Sequence, residues 1–348
     1  MEAETVIVRT PYRISFAGGG TDFPAWYSQR GGAVVSATIN RYSYLTCREL
    51  PPFFEHKSRF VWSRIELISK LDDIAHPAIK GALEFLRWPN PALQIHHDGD
   101  LPAMSGMGTS AAFTIGLLHA LAGLRGRLLT KRQLAFDAIT VDHDYVKDGS
   151  GSQDQIASAI GGVNHIKFGP GSQLEWEPLP LKPATVKQLE DHLMLFYTGL
   201  ARNSSEVERA KHARLGSSTK ALLEQKALVD PCLQAVMGGD PVMLAKVLSR
   251  SWELKKQLAP EAVTNKHIDG YYDQALRAGA LGGKLVGAGS GGCFLFVVPP
   301  AVQAKVKTAL AGLVHVPFRF ETQGSQLVYY GPSYRSQEAE LDVVNALS

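Results

Sequence analysis

Hydrophobic and polar residues alternate along Thr5 to Thr10, Ala33 to Ile39, Tyr42 to Arg48, Arg59 to Leu67 and Ala92 to His97, and this period of two predicts five strands. Apolar positions three and four apart predict helices over Pro77 to Arg87, Ala111 to Leu124 and Lys131 to Val146. A further strand is expected at Gly162 to Phe168, ahead of a proline-rich stretch from Pro170 to Pro183 that marks a domain boundary. Beyond it the pattern predicts a strand at His192 to Thr198 and helices through Ser204 to Val229, Asp240 to Leu258 and Ile268 to Ala278. The closing segment reads as strand, helix, strand. Strands and helices alternate without a regular βαβ repeat, so the expected fold class is α+β, in two domains of residues 1–180 and 181–348.

Composition narrows the function classes. The 348 residues are 45% hydrophobic and 20% charged, enough for two cores of ordinary size. Lys and Arg total 36 against 33 acidic residues, and no basic run is long enough to track a phosphate backbone, so no nucleic-acid partner is expected. The start, MEAETVIVRTPYR, lacks a leader pattern, and no apolar stretch approaches the roughly 20 residues that span a bilayer. The expectation is a cytoplasmic protein with no membrane partner. Cys47, Cys232 and Cys293 are odd in number and far apart, which predicts reduced, buried thiols rather than disulfides or a zinc site. His96, His97 and His143 have no zinc spacing either, and packed or surface roles are expected for them.

Three glycine clusters carry the candidate chemistry. Leu101 to Ala112, LPAMSGMGTSAA, is a loop running straight into an apolar helix. Gly106 and Gly108 allow a tight turn that brings main-chain N–H groups and the positive helix end against an anion, and Thr109 and Ser110 add hydroxyls for phosphate or Mg²⁺. No Lys follows the last glycine, which excludes a Walker A loop. The other clusters are AGGGTDF, Ala17 to Phe23, and GGKLVGAGSGGCFLFV, Gly282 to Val298. A formal G-x-G-x-x-G lies at Gly287 to Gly292, but the apolar run Cys293 to Val298 after it reads as a buried strand where a dinucleotide fold needs a helix. A tight turn would explain any one cluster alone; three together suggest one composite site.

In order and spacing these clusters resemble those of the GHMP family of small-molecule kinases. The segments TPYRISFAGGGTDFP, GSQDQIASAIGG, LFYTGLARNSSE, SWELKKQLAP and ALGGKLVGAGSGG are similar to those of its bacterial sugar 1-kinases acting on heptose 7-phosphate. The resemblance implies an S5-like N-terminal domain, a ferredoxin-like C-terminal domain, ATP and Mg²⁺ as cofactors, and a sugar or sugar phosphate as substrate. The activity it implies is phosphorylation of the anomeric hydroxyl of D-glycero-D-manno-heptose 7-phosphate, for nucleotide-activated heptose and surface glycans. A 1-kinase for an unphosphorylated sugar and a non-catalytic sugar- or nucleotide-binding regulator are the alternatives. A homodimer is left open.

Roles follow residue by residue. Asp154 is implied as the base, with a helix-stabilising first-turn aspartate as the plain alternative. Arg13 is implied to steady the γ-phosphoryl group and Asp154, against a surface ion pair as its alternative. Gly106, Met107, Gly108, Thr109, Ser110 and Ala111 are expected to take the nucleotide phosphates. Ser110 and Asp142 are the implied metal ligands; Asp142 stands where relatives carry a longer glutamate, so direct and water-bridged coordination are both open, and Asp144 competes as a solvated residue. Gly18, Gly19, Gly20, Thr21 and Asp22 stand where related galactokinases carry Gly-Glu-His-Thr-Asp, and losing that polar pair is expected to open space for a longer, anionic sugar tail. Arg202, with Ser204, is expected to grip that phosphate, and Gly287, Gly289 and Gly291 are placed on the substrate side.

Overall fold

The alternation beginning at Thr5 runs through Pro11 without stopping, and residues 3 to 17 form one long strand, β1 (Ala3–Ala17). After a short helix, α1 (Pro24–Arg30), the two expected strands at Ala33 to Ile39 and Tyr42 to Arg48 are likewise one, β2 (Gly32–Glu49). The register slips where Pro11 faces Tyr42 and Tyr12 faces Ile39, so Asn40 and Arg41 bulge out opposite a proline that has no N–H to give. The structure, a computed structural model, describes residues 3–51, 53–89, 92–147, 149–200 and 218–332.

The strand expected over Arg59 to Leu67 is instead a hairpin, β3 (Ser58–Val61) and β4 (Ile65–Ile68), turning at Trp62 to Arg64, where the Trp62 N–H donates to the Arg64 carbonyl. Next come α2 (Pro77–Phe85), β5 (Leu93–Gly99), α3 (Thr109–Leu124) and α4 (Lys131–Thr140). The helix expected over Lys131 to Val146 changes character at Val141, where one π-helical turn carries it to Val146 and the Lys147 N–H reaches back five residues to the Asp142 carbonyl. Then follow α5 (Gln153–Ile160), β6 (Val163–Gly169), β7 (Gln173–Pro178), α6 (Pro183–His192) and β8 (Leu193–Tyr197).

The helix expected through Ser204 to Val229 begins outside the described residues. Its described end is α7 (Thr219–Ala227), and a second helix, α8 (Val229–Gly238), starts after Leu228 because the Pro231 ring would collide with the Ala227 carbonyl if one helix continued. The remainder is α9 (Pro241–Leu258), α10 (Pro260–Val263), α11 (Lys266–Ala278), β9 (Gly282–Leu285), β10 (Cys293–Val297), α12 (Gln303–Ala309), β11 (Val314–Val316) and β12 (Gln326–Pro332).

Two sheets result. The first has the order β12-β1-β2-β5-β3-β4, with β6 joining β2 and β7 joining β6; the second is antiparallel in the order β11-β8-β10-β9. The α+β class is as expected. The second sheet uses only residues beyond 181, but β12 returns to cover the outer edge of β1, so residues 326–332 lie in the first sheet although they fall in the 181–348 segment. On the way, the Glu321 main chain exchanges hydrogen bonds with Thr38 and Gly162, lacing the two halves together. Helix α3 is buried nearly all round, and Gly116 lets it lie close on β1 and β2: a Cβ there would stand 2.7 Å from a Leu45 methyl. Its N-terminus is thereby fixed over the end of β1. All three cysteines are buried free thiols whose pKa burial pushes up to about 12. Among the described residues no helix is long and apolar enough to cross a membrane.

Candidate active site

Residues two apart on a strand share a face, and on β1 this aims Arg13 and Ser15 into a cavity of about 670 Å³ between the two sheets. Arg13 is 4% exposed, and its guanidinium meets the Asp154 carboxylate as a fork, Nε to Oδ1 at 2.6 Å and Nη2 to Oδ2 at 2.5 Å. The remaining Nη1 donates to the Gly106 carbonyl at 2.8 Å, and the Arg13 main-chain N–H donates to the Met107 carbonyl. Asp154 sits in the first turn of α5, so a strand, a helix and the glycine loop converge on one ion pair.

Gly108 caps α3 with a left-handed backbone (φ 71°, ψ 30°), and a Cβ there would press on both Arg13 and Asp154. Gly106, Gly108, Thr109 and Ser110 face the cavity, whereas Met107 and Ala111 are turned into the core. Gly287 packs its main chain against Gly106: a Cβ on Gly287 would lie 2.2 Å from the Gly106 Cα. Gly287 therefore lines the cavity and braces the Gly106 loop. Gly289 and Gly291 do not line it; they are spent on close contact with Val263 and the Leu200 carbonyl.

The glycine triplet divides its work similarly. Gly18 has a positive φ and no room for a side chain, since a Cβ would stand 1.9 Å from the Ala33 carbonyl oxygen, and Thr21 closes the same turn by donating to Gly18 and accepting from the Ala33 N–H. Both are structural. Gly19 and Gly20 line the cavity, and beside Gly19 there is open space for at least 4 Å. Asp22 is 3% exposed and accepts from the Gly20 N–H and the Gln153 side chain, both at 2.9 Å. Its pKa is raised, first by burial and then by the Asp154 charge.

Asp142 does not line the cavity. It is 1% exposed, and its two oxygens accept from Thr114 at 2.8 Å and Gln155 at 2.7 Å, which places it under Ser110, one turn further along α3. Asp144 is exposed, as its alternative role requires. Arg202 and Ser204 lie outside the described residues. Sequence reasoning missed two cavity walls. One is aromatic: His76 stacks on Phe113 at 4.5 Å, Trp62 meets His76 edge-on at 4.8 Å, and His97 meets Phe113 at 4.9 Å. His97 thus belongs to the site. The other wall holds Lys255 and Lys284, 8% and 4% exposed, both inside segments singled out in the sequence but given no role there.

The aromatic wall carries a pH signature. Burial pushes the His76 pKa down to about 4, so between pH 6.5 and 4 the unfolded chain holds a proton that the folded chain does not. Stability is therefore lost as pH falls through this window. Allowing for its partial exposure, His76 should contribute about 1 kcal/mol of loss between pH 7 and 5. Asp22, with its raised pKa, works in the opposite sense, so the readout is a comparison. His76→Asn, which keeps an acceptor at the α2 N-cap, is expected to flatten the acid-side decline in melting temperature; an unchanged slope would refute the assignment.

Residues 77–162 match the family model of the GHMP kinases N terminal domain, and residues 226–314 match that of the GHMP kinases C terminal. D-glycero-alpha-D-manno-heptose 7-phosphate kinase of Campylobacter jejuni is 27% identical over 322 residues, covering 88% of this chain and 93% of that one. A Thermotoga neapolitana galactokinase is 26% identical over 343 residues, 90% of this chain and 95% of that one. The crystal structure of a D-glycero-D-manno-heptose 1-phosphate kinase from Bacteroides thetaiotaomicron superposes with a TM-score of 0.76 at 26% identity, covering 93% of this chain and 99% of that chain. The two matched models together take in half of the chain, one on each side of the Arg13–Asp154 cavity, and the chain belongs to the GHMP kinase family.

Proposed function

We propose that this sugar kinase transfers the γ-phosphoryl group of ATP to the anomeric hydroxyl of D-glycero-D-manno-heptose 7-phosphate, giving the 1,7-bisphosphate. The observation that carries the reading is the forked Arg13–Asp154 pair, set between the bare N-terminus of α3 and the space beside Gly19. The relatives named above support the sugar class.

In this reading the loop Gly106–Ser110 receives the nucleotide phosphates on main-chain N–H groups, and the aromatic wall of Trp62, His76 and Phe113 takes the base. Asp22 orients the sugar. Asp154 accepts the proton of the anomeric hydroxyl as its oxygen bonds to phosphorus and the bond to the ADP oxygen breaks, its electron pair leaving with ADP. Arg13 holds the Asp154 carboxylate in place and faces the charge that builds on the transferring group. Ser110 is a hard oxygen donor facing the cavity at the start of α3, which fits a Mg²⁺ that keeps most of its contacts to phosphate and water, whereas Asp142, buried behind it with both oxygens taken by Thr114 and Gln155, would support that end rather than bind the ion directly. Bound there, Mg²⁺ would neutralise phosphate charge.

The test is ADP release with ATP and Mg²⁺ against mannoheptose 7-phosphate, sedoheptulose 7-phosphate, free heptose, fucose, galactose and mannose, with product masses measured. Selective conversion of mannoheptose 7-phosphate to a bisphosphate is expected. Preference for an unphosphorylated sugar would overturn the assigned substrate, and sugar binding without ADP release would overturn the kinase reading in favour of a regulator.

A further inference from the structure

The first turn of α5 reads Gln153, Asp154, Gln155, and each of the three holds a different charged side chain. Successive helical residues point about 100° apart, so three in a row reach out to three neighbours rather than one. Gln153 donates its side-chain amide to Asp22 at 2.9 Å. Asp154 takes the Arg13 fork. Gln155 donates to one oxygen of Asp142 at 2.7 Å, and the other oxygen accepts at 2.8 Å from Thr114 of α3, four residues beyond Ser110. An ionised carboxylate only accepts, so both glutamines turn their NH₂ groups to these partners.

The turn is anchored on both sides. Every residue of α5 except Asp154 is buried. The loop before it lies directly on Asp22: a Cβ on Gly151 would stand 1.9 Å from an Asp22 carboxylate oxygen, and the Ser152 N–H donates to the Asp22 carbonyl at 2.9 Å. Asp22 lines the cavity together with Gly19 and Gly20, whereas Asp142 lies behind the start of α3. One helical turn therefore touches the acceptor side, the Arg13–Asp154 pair and the support of α3.

We propose that Gln153 and Gln155 are positioning residues that set the acceptor side and the nucleotide side of the site from the turn that carries Asp154. Gln153 acts through Asp22 on the sugar. Gln155 acts through Asp142 and Thr114 on the start of α3, and so on the Gly106–Ser110 loop. Both roles rest on the reading above, in which Asp22 orients the sugar and that loop takes the nucleotide phosphates.

Gln153→Met and Gln155→Met keep length and packing while removing the donor. Gln153→Met is expected to raise the KM for the acceptor sugar about 10-fold and to leave the KM for ATP within about threefold. Gln155→Met is expected to raise the KM for ATP about 10-fold and to leave that for the sugar within about threefold. The first effect should shrink below about twofold in an Asp22→Ala background and the second in an Asp142→Ala background, because each glutamine works through its carboxylate. Equal losses on both substrates in both variants, or effects undiminished in those backgrounds, would overturn the assignment. Should a methionine variant not fold, Gln153→Asn and Gln155→Asn decide, since each keeps an amide but draws it back one methylene from its partner; the same opposite split is expected, and its absence would overturn the roles. The sugar used is the one the wild type prefers, and equilibrium titrations with that sugar and with ADP read the same split without turnover. Absence of ADP release from the wild type would therefore remove the kinase reading, whereas absence of the split would remove the positioning roles.

Discussion

Asp154→Asn is expected to lower kcat about 10³-fold while leaving the KM for ATP within about threefold, measured by steady-state ADP release. The amide preserves the shape of the carboxylate and one acceptor oxygen for the Arg13 fork, so the loop carbonyl of Gly106 and the cap at Gly108 keep their support. What the amide removes is the negative charge facing the guanidinium and, in the proposed mechanism, the site for the hydroxyl proton. Asp154 also sits in the first turn of α5, where an acidic side chain stabilises a helix by about 0.3–1 kcal/mol through the dipole. That plainer role predicts a lowered melting temperature with kcat nearly intact. The two roles therefore separate in one variant: a kcat within tenfold of wild type would end the assignment of Asp154 as the base.

Periodicity located most of the helices and strands because packing obeys it locally. Its failures fall where tertiary context decides. Pro11 sits inside β1 because a bulge in β2 excuses its missing N–H, and among the described residues the strand Gln173–Pro178 pairs only with β6, so its own sequence carries little burial pattern. The return of β12 to β1 is a pairing more than three hundred residues apart in sequence, for which no local signal exists.

At the site, the glycine clusters predict a tight loop and a turn, yet which glycine faces the cavity is not legible in the sequence. Gly18 and Gly19 are adjacent and identical, but only Gly19 has open space beside it. Gly289 and Gly291 likewise serve chain contact alone. Lys255 and Lys284 are more instructive. Thirty-six basic residues give no reason to favour two of them, and both became candidates only when the fold buried them in one wall. His97 was set aside for want of metal spacing, whereas its place in the site comes from an edge-on contact with Phe113 that no spacing rule describes.

Arg13→Met should be the more damaging change for the molecule as a whole. The guanidinium makes three hydrogen bonds, two to Asp154 and one to the Gly106 carbonyl, from a position only 4% exposed. Methionine fills much of the same volume and donates none of them. Asp154, with 21% of its side-chain surface exposed, then keeps a charge that has lost its partner, and the loop at Gly106 loses its tie to β1. Breaking a fully buried pair costs about 3–5 kcal/mol, and the partial exposure of Asp154 brings the expected loss of stability to about 2 kcal/mol. Turnover is expected to fall about 10²- to 10³-fold, because the proposed mechanism also loses the positive charge that faces the transferring phosphoryl group. Arg13→Lys separates these effects: a single ammonium restores charge but not the fork, so it should recover part of kcat and little of the stability. Equal recovery of both would mean that charge alone matters at this position. A loss of turnover seen entirely in the KM for ATP, with kcat unchanged, would make Arg13 a nucleotide-binding residue and leave the Asp154 carboxylate to act without it.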